Sequence, residues 1–260
     1  LQGDPEDSGE TGLSDSLNAV AQTGFPGVFW VTLEDRTERP ATINLTPAQT
    51  VYGERVITID DQEFRVWDPF RSKLAAAILN GLKYLPVRRG SKVLYLGAAS
   101  GTTCSHVSDI VGLEGRLYCV EFSARSMREL VRNLEHRANV FPLLADARRP
   151  EKYRSLVGQV DTVYCDIAQP EQAKVLADNC DRFLAARGGA VLAVKARSID
   201  VTKRPNQVFR AEVELLRRRG FKVEQQLNLE PYDKDHVMVV SEYMRDAMGT
   251  LGPTARREEG

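Results

Sequence analysis

The chain has 260 residues, 42% of them hydrophobic, with 35 basic and 36 acidic side chains for a formal net charge of -1. That content can bury one sizeable core, or one large domain with a small one beside it, and it excludes a chain disordered throughout. The charge balance excludes strong nonspecific attraction to nucleic acid, so any RNA partner has to be met by a local basic patch or through another subunit.

Residues 1–24 are rich in Gly, Asp, Glu and Ser with little to bury, and read as a flexible acidic tail. The start lacks a basic-then-apolar leader, and no apolar run nears the roughly twenty residues that cross a bilayer, so a soluble protein without a membrane partner is expected. From Phe25 to Trp67 the apolar residues come in short bursts, Val28–Leu33, Ala41–Ile43, Val56–Ile59 and Phe64–Trp67, with Asp60-Asp61-Gln62-Glu63 as a hairpin turn. Residues 25–67 are therefore expected to form a small β-rich N-terminal domain. Asp68-Pro69 stops the extended chain, and Leu74, Ala75, Ile78 and Leu79 carry helical spacing from Ser72 to near Gly81.

From Lys92 onward strand-like runs alternate with helical stretches. The runs are Val93–Leu96, Leu117–Val120, Val140–Leu144, Val160–Cys165 and Ala190–Val194, and helical periodicity marks Arg125–Glu135 and Gln172–Leu184. This alternation predicts βαβ units with right-handed crossovers and a largely parallel sheet over residues 68–245. The last two runs, Phe221–Leu229 and Val237–Val240, have only a loop between them and are expected to pair antiparallel at one edge. The fold class is thus expected to be α/β with a Rossmann-like sheet, mostly parallel with an antiparallel edge strand, plus the small β domain, and that change of strand direction resembles the S-adenosylmethionine-dependent methyltransferase sheet. Residues 246–260 read as a flexible C-terminal tail. Cys104, Cys119, Cys165 and Cys180 show no paired spacing and the three histidines no zinc pattern, so no metal is expected and a reducing compartment is the simpler assumption.

Val93 to Thr103 is an apolar strand breaking into a small-residue turn that opens a helix, a place where nucleotide-like cofactors bind. A dinucleotide fingerprint begun at Gly97 would want glycine at its third and sixth positions, where this chain has Ala99 and Thr102. A dehydrogenase is disfavoured. A ligand with ribose and adenine but no phosphate, S-adenosylmethionine, suits a turn with Gly97 and Gly101 followed by the hydroxyls of Thr102 and Thr103. Three acidic residues fall at strand ends, where open α/β sheets bind ligands: Glu121 for the ribose hydroxyls, Asp146 for the adenine amino group and Asp166 nearest the sulfonium. Lys195, behind an apolar run, is expected as a partly buried ammonium, costly unless paired or deprotonated. Lys73 reads as a solvated helix lysine and His236 as the start of the last strand. Nothing in spacing links Lys73, Asp166, Lys195 and His236.

Tyr95-Leu96-Gly97-Ala98-Ala99-Ser100-Gly101-Thr102-Thr103, with Ser105-His106-Val107-Ser108-Asp109 just after, closely resembles the signature of the fibrillarin family of RNA ribose 2′-O-methyltransferases. So do Val120-Glu121-Phe122-Ser123, Asp146-Ala147-Arg148-Arg149-Pro150, Asp166-Ile167-Ala168-Gln169-Pro170 and Asp235-His236, over about Trp67 to Val240. The resemblance implies cofactor contacts at Thr102, Thr103, Glu121, Phe122, Asp146, Ala147 and the Asp166, Ile167, Ala168 and Gln169 loop, with Phe122 covering a face of the adenine. It implies a catalytic set of Lys73, Asp166, Lys195 and His236, in which a buried Lys195 orients or deprotonates the 2′-hydroxyl. Asp166 would anchor that lysine, and His236 would steer the ribose or pass the proton on. It further implies RNA-guided methylation of rRNA and tRNA from S-adenosylmethionine within a box C/D ribonucleoprotein. There a guide RNA pairs with the target, a Nop-domain scaffold protein docks the enzyme, and a kink-turn-binding ribosomal-type protein completes the particle. In place of the glycine- and arginine-rich start of eukaryotic members this chain has the acidic stretch and small β domain, so it resembles the archaeal type, for which a cytoplasmic location is expected, against a nucleolar one for a eukaryotic member. The cofactor half alone leaves open a methyltransferase acting on protein glutamine or a small molecule, or a non-catalytic scaffold subunit. Arg88-Arg89, Arg148-Arg149, Lys203-Arg204 and Arg217-Arg218-Arg219 are the candidate phosphate contacts, the last more simply the exposed end of a helix.

Overall fold

In the computed structural model of the chain, residues 19–244 are described, and the expected tails at 1–18 and 246–260 lie outside the described residues. Five short strands, β1 (Ala19–Gln22), β2 (Phe29–Thr32), β3 (Glu38–Ile43), β4 (Val56–Ile59) and β5 (Gln62–Val66), form an antiparallel sheet in the order β1-β2-β3-β5-β4. The first strand corrects the expected tail boundary at residue 24. Its single large apolar side chain, Val20, gives almost no sequence signal, yet it pairs with Val31 and packs on a small core of Val31, Ala41, Ile57, Phe64 and Val66. The β4–β5 turn is tighter than expected, because Asp60 and Asp61 both take positive φ (50° and 61°) and reverse the chain alone. Gln62 and Glu63 therefore join the ladder, opposite Ile59 and Thr58.

The larger sheet contains β6 (Lys92–Leu96), β7 (Arg116–Glu121), β8 (Val140–Leu144), β9 (Val160–Cys165), β10 (Leu184–Lys195), β11 (Phe221–Asn228) and β12 (His236–Tyr243), ordered β11-β12-β10-β9-β6-β7-β8. Strands β8, β7, β6, β9 and β10 are mutually parallel, while β12 runs antiparallel to both β10 and β11. The reversed strand is thus one place in from the edge, with β11 outermost. The helices are α1 (Lys73–Leu79), α2 (Thr102–Val111), α3 (Ala124–Leu134), α4 (Gln172–Phe183), the single turn α5 (Ala196–Ile199) and α6 (Pro205–Arg218). None among the described residues is long and apolar enough to cross a membrane.

The apolar runs are continuous because the central strands are covered on both faces. Alternate residues of β6 divide between two cores: Leu94 and Leu96 face Leu176 of α4 and Leu216 of α6, while Val93 and Tyr95 face Ile78 of α1, Val107 of α2 and Leu130 of α3. Each fully buried side chain of this kind stabilises the fold by about 1.5–3 kcal/mol.

The small sheet is held on α2 by a buried polar network. Arg65 on β5, fully buried, donates at 2.6 Å to Glu54 and to Asp109 and at 2.8 Å to Ser105. Arg137 reaches the other oxygen of Asp109 at 2.6 Å. Thr42 donates to Asp109 at 2.7 Å, so its oxygen must accept the 2.8 Å bond from His106 Nδ1, and His106 Nε2 accepts from the Tyr52 hydroxyl at 2.8 Å. That ordering makes His106 a neutral Nδ1–H tautomer, stacked on Trp67 at 4.5 Å. Burial, then the charges of Arg65 and Arg137, hold its pKa well below the usual histidine value. The Ser105–Asp109 segment, part of the signature, therefore serves to dock the N-terminal sheet.

Candidate active site

The parallel strands end on one crest, and the turn after β6 packs directly against the end of β9. Gly97 has φ +83°, and a Cβ there would lie 2.2 Å from the Asp166 carbonyl oxygen, so only glycine permits the approach. Two residues on, Ala99 also has positive φ (48°), which aims its N–H at Glu121 Oε2, 2.8 Å away. The other oxygen of Glu121 accepts from the Ser123 N–H at 2.8 Å. Ser123 in turn caps α3. The Glu121 carboxylate is thus fixed by backbone at both oxygens, each with a lone pair left for a hydroxyl.

Beside it lies a cavity of about 260 Å3 whose walls include Gly97, Ala99, Glu121, Phe122, Asp146, Ala147 and the Asp166–Gln169 loop. Phe122, 68% exposed, stands at its edge with an uncovered ring face. Arg148 is the cation in this wall, and its guanidinium is bound to both oxygens of Asp146 at 2.7–3.0 Å. Those hydrogen bonds hold the Asp146 carboxyl below the usual carboxylate range. The cavity therefore offers carboxylates for hydroxyls and no uncommitted cation for a pyrophosphate, which fits an adenosyl group without phosphate. An adenine amino group at Asp146 has to share that carboxylate with Arg148.

Thr102 and Thr103 do not line this cavity. They begin α2, where the Thr103 hydroxyl donates to Ser72 Oγ at 3.0 Å and Ser72 caps α1 by accepting from the Ala75 N–H. The tie runs from the turn after β6 to the first residue of α1, which is Lys73.

Lys73 is no solvated surface lysine. The helix buries Leu74 to Ile78 and aims its first side chain at the crest, where Lys73 Nζ donates to Asp166 Oδ2 at 3.0 Å and lies 3.8 Å from Asp233 Oδ2. Burial pulls its pKa down, but the charge and hydrogen bond of Asp166 and the charge of Asp233 outweigh that, and the net shift is upward. Lys73 is held as an ammonium. The expected anchor between Asp166 and Lys195 is corrected accordingly: the ion-pair partner of Asp166 is Lys73.

The expected burial of Lys195 is also corrected. It is the last residue of β10, where the sheet gives way to the crest; its backbone N–H is held by Gln172 Oε1 at 2.9 Å while its side chain is exposed. It lies opposite His236 in the ladder. His236 itself is only 6% exposed. Its Nδ1 is 2.8 Å from both the Lys234 carbonyl and Asp233 Oδ1, two acceptors, so Nδ1 carries a proton and the ring is held in one orientation. Asp233, bridging Lys73 and His236, was missed in the sequence. The acid three residues before a histidine was its only signal.

A mostly parallel seven-stranded sheet with one reversed strand, carrying an acidic adenosyl-type cavity on the crest, defines the S-adenosylmethionine-dependent methyltransferase class. The fibrillarin family model matches residues 20–245, and the chain belongs to the fibrillarin family. It is 55% identical over 219 residues to a fibrillarin-like rRNA/tRNA 2′-O-methyltransferase of Methanopyrus kandleri, covering 84% of this chain and 94% of that protein. It is similar to the Aeropyrum pernix fibrillarin solved with natively bound S-adenosyl-L-methionine (TM-score 0.81, 49% identity, 86% of this chain and 97% of that one). It is also similar to a fibrillarin solved in complex with Nop5p (TM-score 0.74, 40% identity, 85% and 99%).

Proposed function

We propose that this chain is an RNA-guided ribose 2′-O-methyltransferase that methylates rRNA and tRNA from S-adenosylmethionine within a box C/D ribonucleoprotein. The observation that carries this reading is that Asp166 is at once a wall of the adenosyl-type cavity and the partner of Lys73. Donor and acceptor chemistry therefore meet at one carboxylate. S-adenosylmethionine, when bound, supplies a methyl carbon on a sulfonium that an oxygen nucleophile can attack in line. Glu121 binds the ribose hydroxyls of that donor and Phe122 covers its adenine. Lys73, kept charged, holds the Asp166 carboxylate in place at the reactive end. A ribose hydroxyl is a poor nucleophile, so its proton has to leave as the carbon–oxygen bond forms. Lys195, exposed at the crest, orients that hydroxyl, and His236 Nε2, its Nδ1 proton already committed, receives the proton.

The similarity to a fibrillarin solved with Nop5p supports a Nop-domain scaffold as the docking partner. The guide RNA and a kink-turn-binding ribosomal-type protein complete the proposed particle, and the archaeal relatives support a cytoplasmic location. The test is methylation of a synthetic target RNA by the chain alone, with scaffold, and with scaffold, kink-turn protein and guide. A 2′-O-methyl group at one guide-specified nucleotide, only in the complete particle and lost with Asp166→Ala, is expected. Methylation indifferent to the guide, or methyl transfer to protein glutamine instead, overturns the reading.

A further inference from the structure

The crest has a second half that the cofactor does not use. A cavity of about 630 Å3 lies beyond His236, walled by Arg204, which precedes α6, and Arg210 within it, by Asn228 at the end of β11 and Glu230 after it, and by Asp235 and His236. Arg204 and Arg210 are exposed, and neither has an ion-pair partner among the described residues. The same holds for Lys195 and Lys234, also exposed, which flank His236 across the ladder and along the chain. Of the two acids in the wall, Asp235 is bonded to Arg197 at 3.2 Å, which leaves Glu230. Two uncommitted arginines thus share a cavity with the histidine, and two uncommitted lysines sit beside it, one opposite in the ladder and one two residues before it, in a chain whose net charge is -1. In the adenosyl wall the cation is already neutralised by Asp146.

We infer that this cavity is the track for the sugar-phosphate backbone of the substrate RNA, with Arg204 and Arg210 taking the phosphates next to the methylated ribose. The inference rests on the ribose-methylation reading. A ribose placed at Lys195 and His236 brings its neighbouring phosphates along, covalently, on the acceptor side of the crest, and those charges need cations that are not already paired. Polar side chains such as Asn206 and Gln207 in the same wall suit a hydrated, sequence-indifferent contact. Such contacts set the position of the strand, and guide pairing sets its sequence.

The test uses the assembled particle, with a target RNA oligonucleotide complementary to the guide, and the double variant Arg204→Gln, Arg210→Gln. With two phosphate contacts gone, the slope of log RNA affinity against log salt is expected to shrink by roughly 1.4–1.8. The KM for target RNA is expected to rise about tenfold or more while kcat at saturating RNA, donor affinity and melting temperature stay unchanged. The charge reversal Arg204→Glu, Arg210→Glu is expected to weaken RNA binding further. An unchanged salt slope and KM, in a particle whose wild type methylates its target, overturns the inference; so does a loss traced to weaker scaffold binding. A wild-type particle that makes no ribose methyl product overturns the functional reading instead.

Discussion

Gly97→Ala tests whether the turn after β6 and the Asp166 carboxylate are one mechanical unit. The new methyl carbon would lie 2.2 Å from the Asp166 carbonyl oxygen, 0.8 Å inside the 3.0 Å that real Cβ atoms keep, on a backbone at φ +83°. Neither side can step away freely. Gly97 N–H is bonded to Val120 O and Asp166 N–H to Leu96 O, both at 2.9 Å, so relief has to distort the ends of β6 and β9. The left-handed backbone costs an alanine about 1–2 kcal/mol and the overlap about 1–3 kcal/mol. The sum of roughly 2–5 kcal/mol lowers the melting temperature by about 10 °C at the usual few degrees per kcal/mol for a domain of this size. Because Asp166 also holds Lys73, a shift approaching 1 Å at the reacting centre is expected to slow methyl transfer by up to about 100-fold. Thermal melts, donor titration and single-turnover methylation measure the three effects separately. A variant melting within about 2 °C of wild type with transfer slowed less than about threefold would refute the coupling.

Removing one partner from the buried network, with Arg65→Met, leaves the Glu54 carboxylate unpaired in the interior and is expected to cost about 3–5 kcal/mol in a denaturant titration. His106 gives a pH dependence of known sign. Its folded pKa lies well below the ordinary value of about 6.5, so below about pH 6.5 the unfolded chain takes up a proton that the native state refuses. Its contribution is fully present above that pH, and stability is expected to fall by up to about 1.4 kcal/mol per pH unit as the solution is acidified further. Melting curves between neutral and mildly acidic pH should show a slope that His106→Gln flattens. Asp233→Asn keeps a group at His236 Nδ1 but removes its charge, and is expected to lower kcat about tenfold or more with donor affinity unchanged. Recovery with Asp233→Glu separates that positioning role from a merely structural one.

The parallel sheet was legible because its strands are buried on both faces. Val93–Leu96 or Val160–Cys165 can be read as unbroken apolar runs, and the acids that follow mark the crest. Gly97 was legible as a turn, though not as the point where β6 and β9 touch. What sequence could not show were pairings between distant positions. Lys73 and Asp166 lie 93 residues apart and meet because α1, packed through Leu74 to Ile78 and capped by a serine that α2 holds, sets Lys73 at the end of β9. Arg65, read as one polar residue in a strand, is the fully buried centre of the interdomain network. Lys195 misled in the opposite sense, since an apolar run predicts burial of the strand and not of the side chain that ends it.

The reversed direction of β12 delivers its opening residue, rather than its closing one, to the crest, and so sets His236 against Lys195 at the end of β10. The connection that feeds it, residues 229–235, carries Asp233 between His236 and Lys73, whereas the adenosyl-type cavity is walled by the loops after β6, β7, β8 and β9. An exchange at Asp233 therefore reaches the histidine on one side and, through Lys73, the Asp166 wall of the cavity on the other, so the two halves of the crest are constrained to change together.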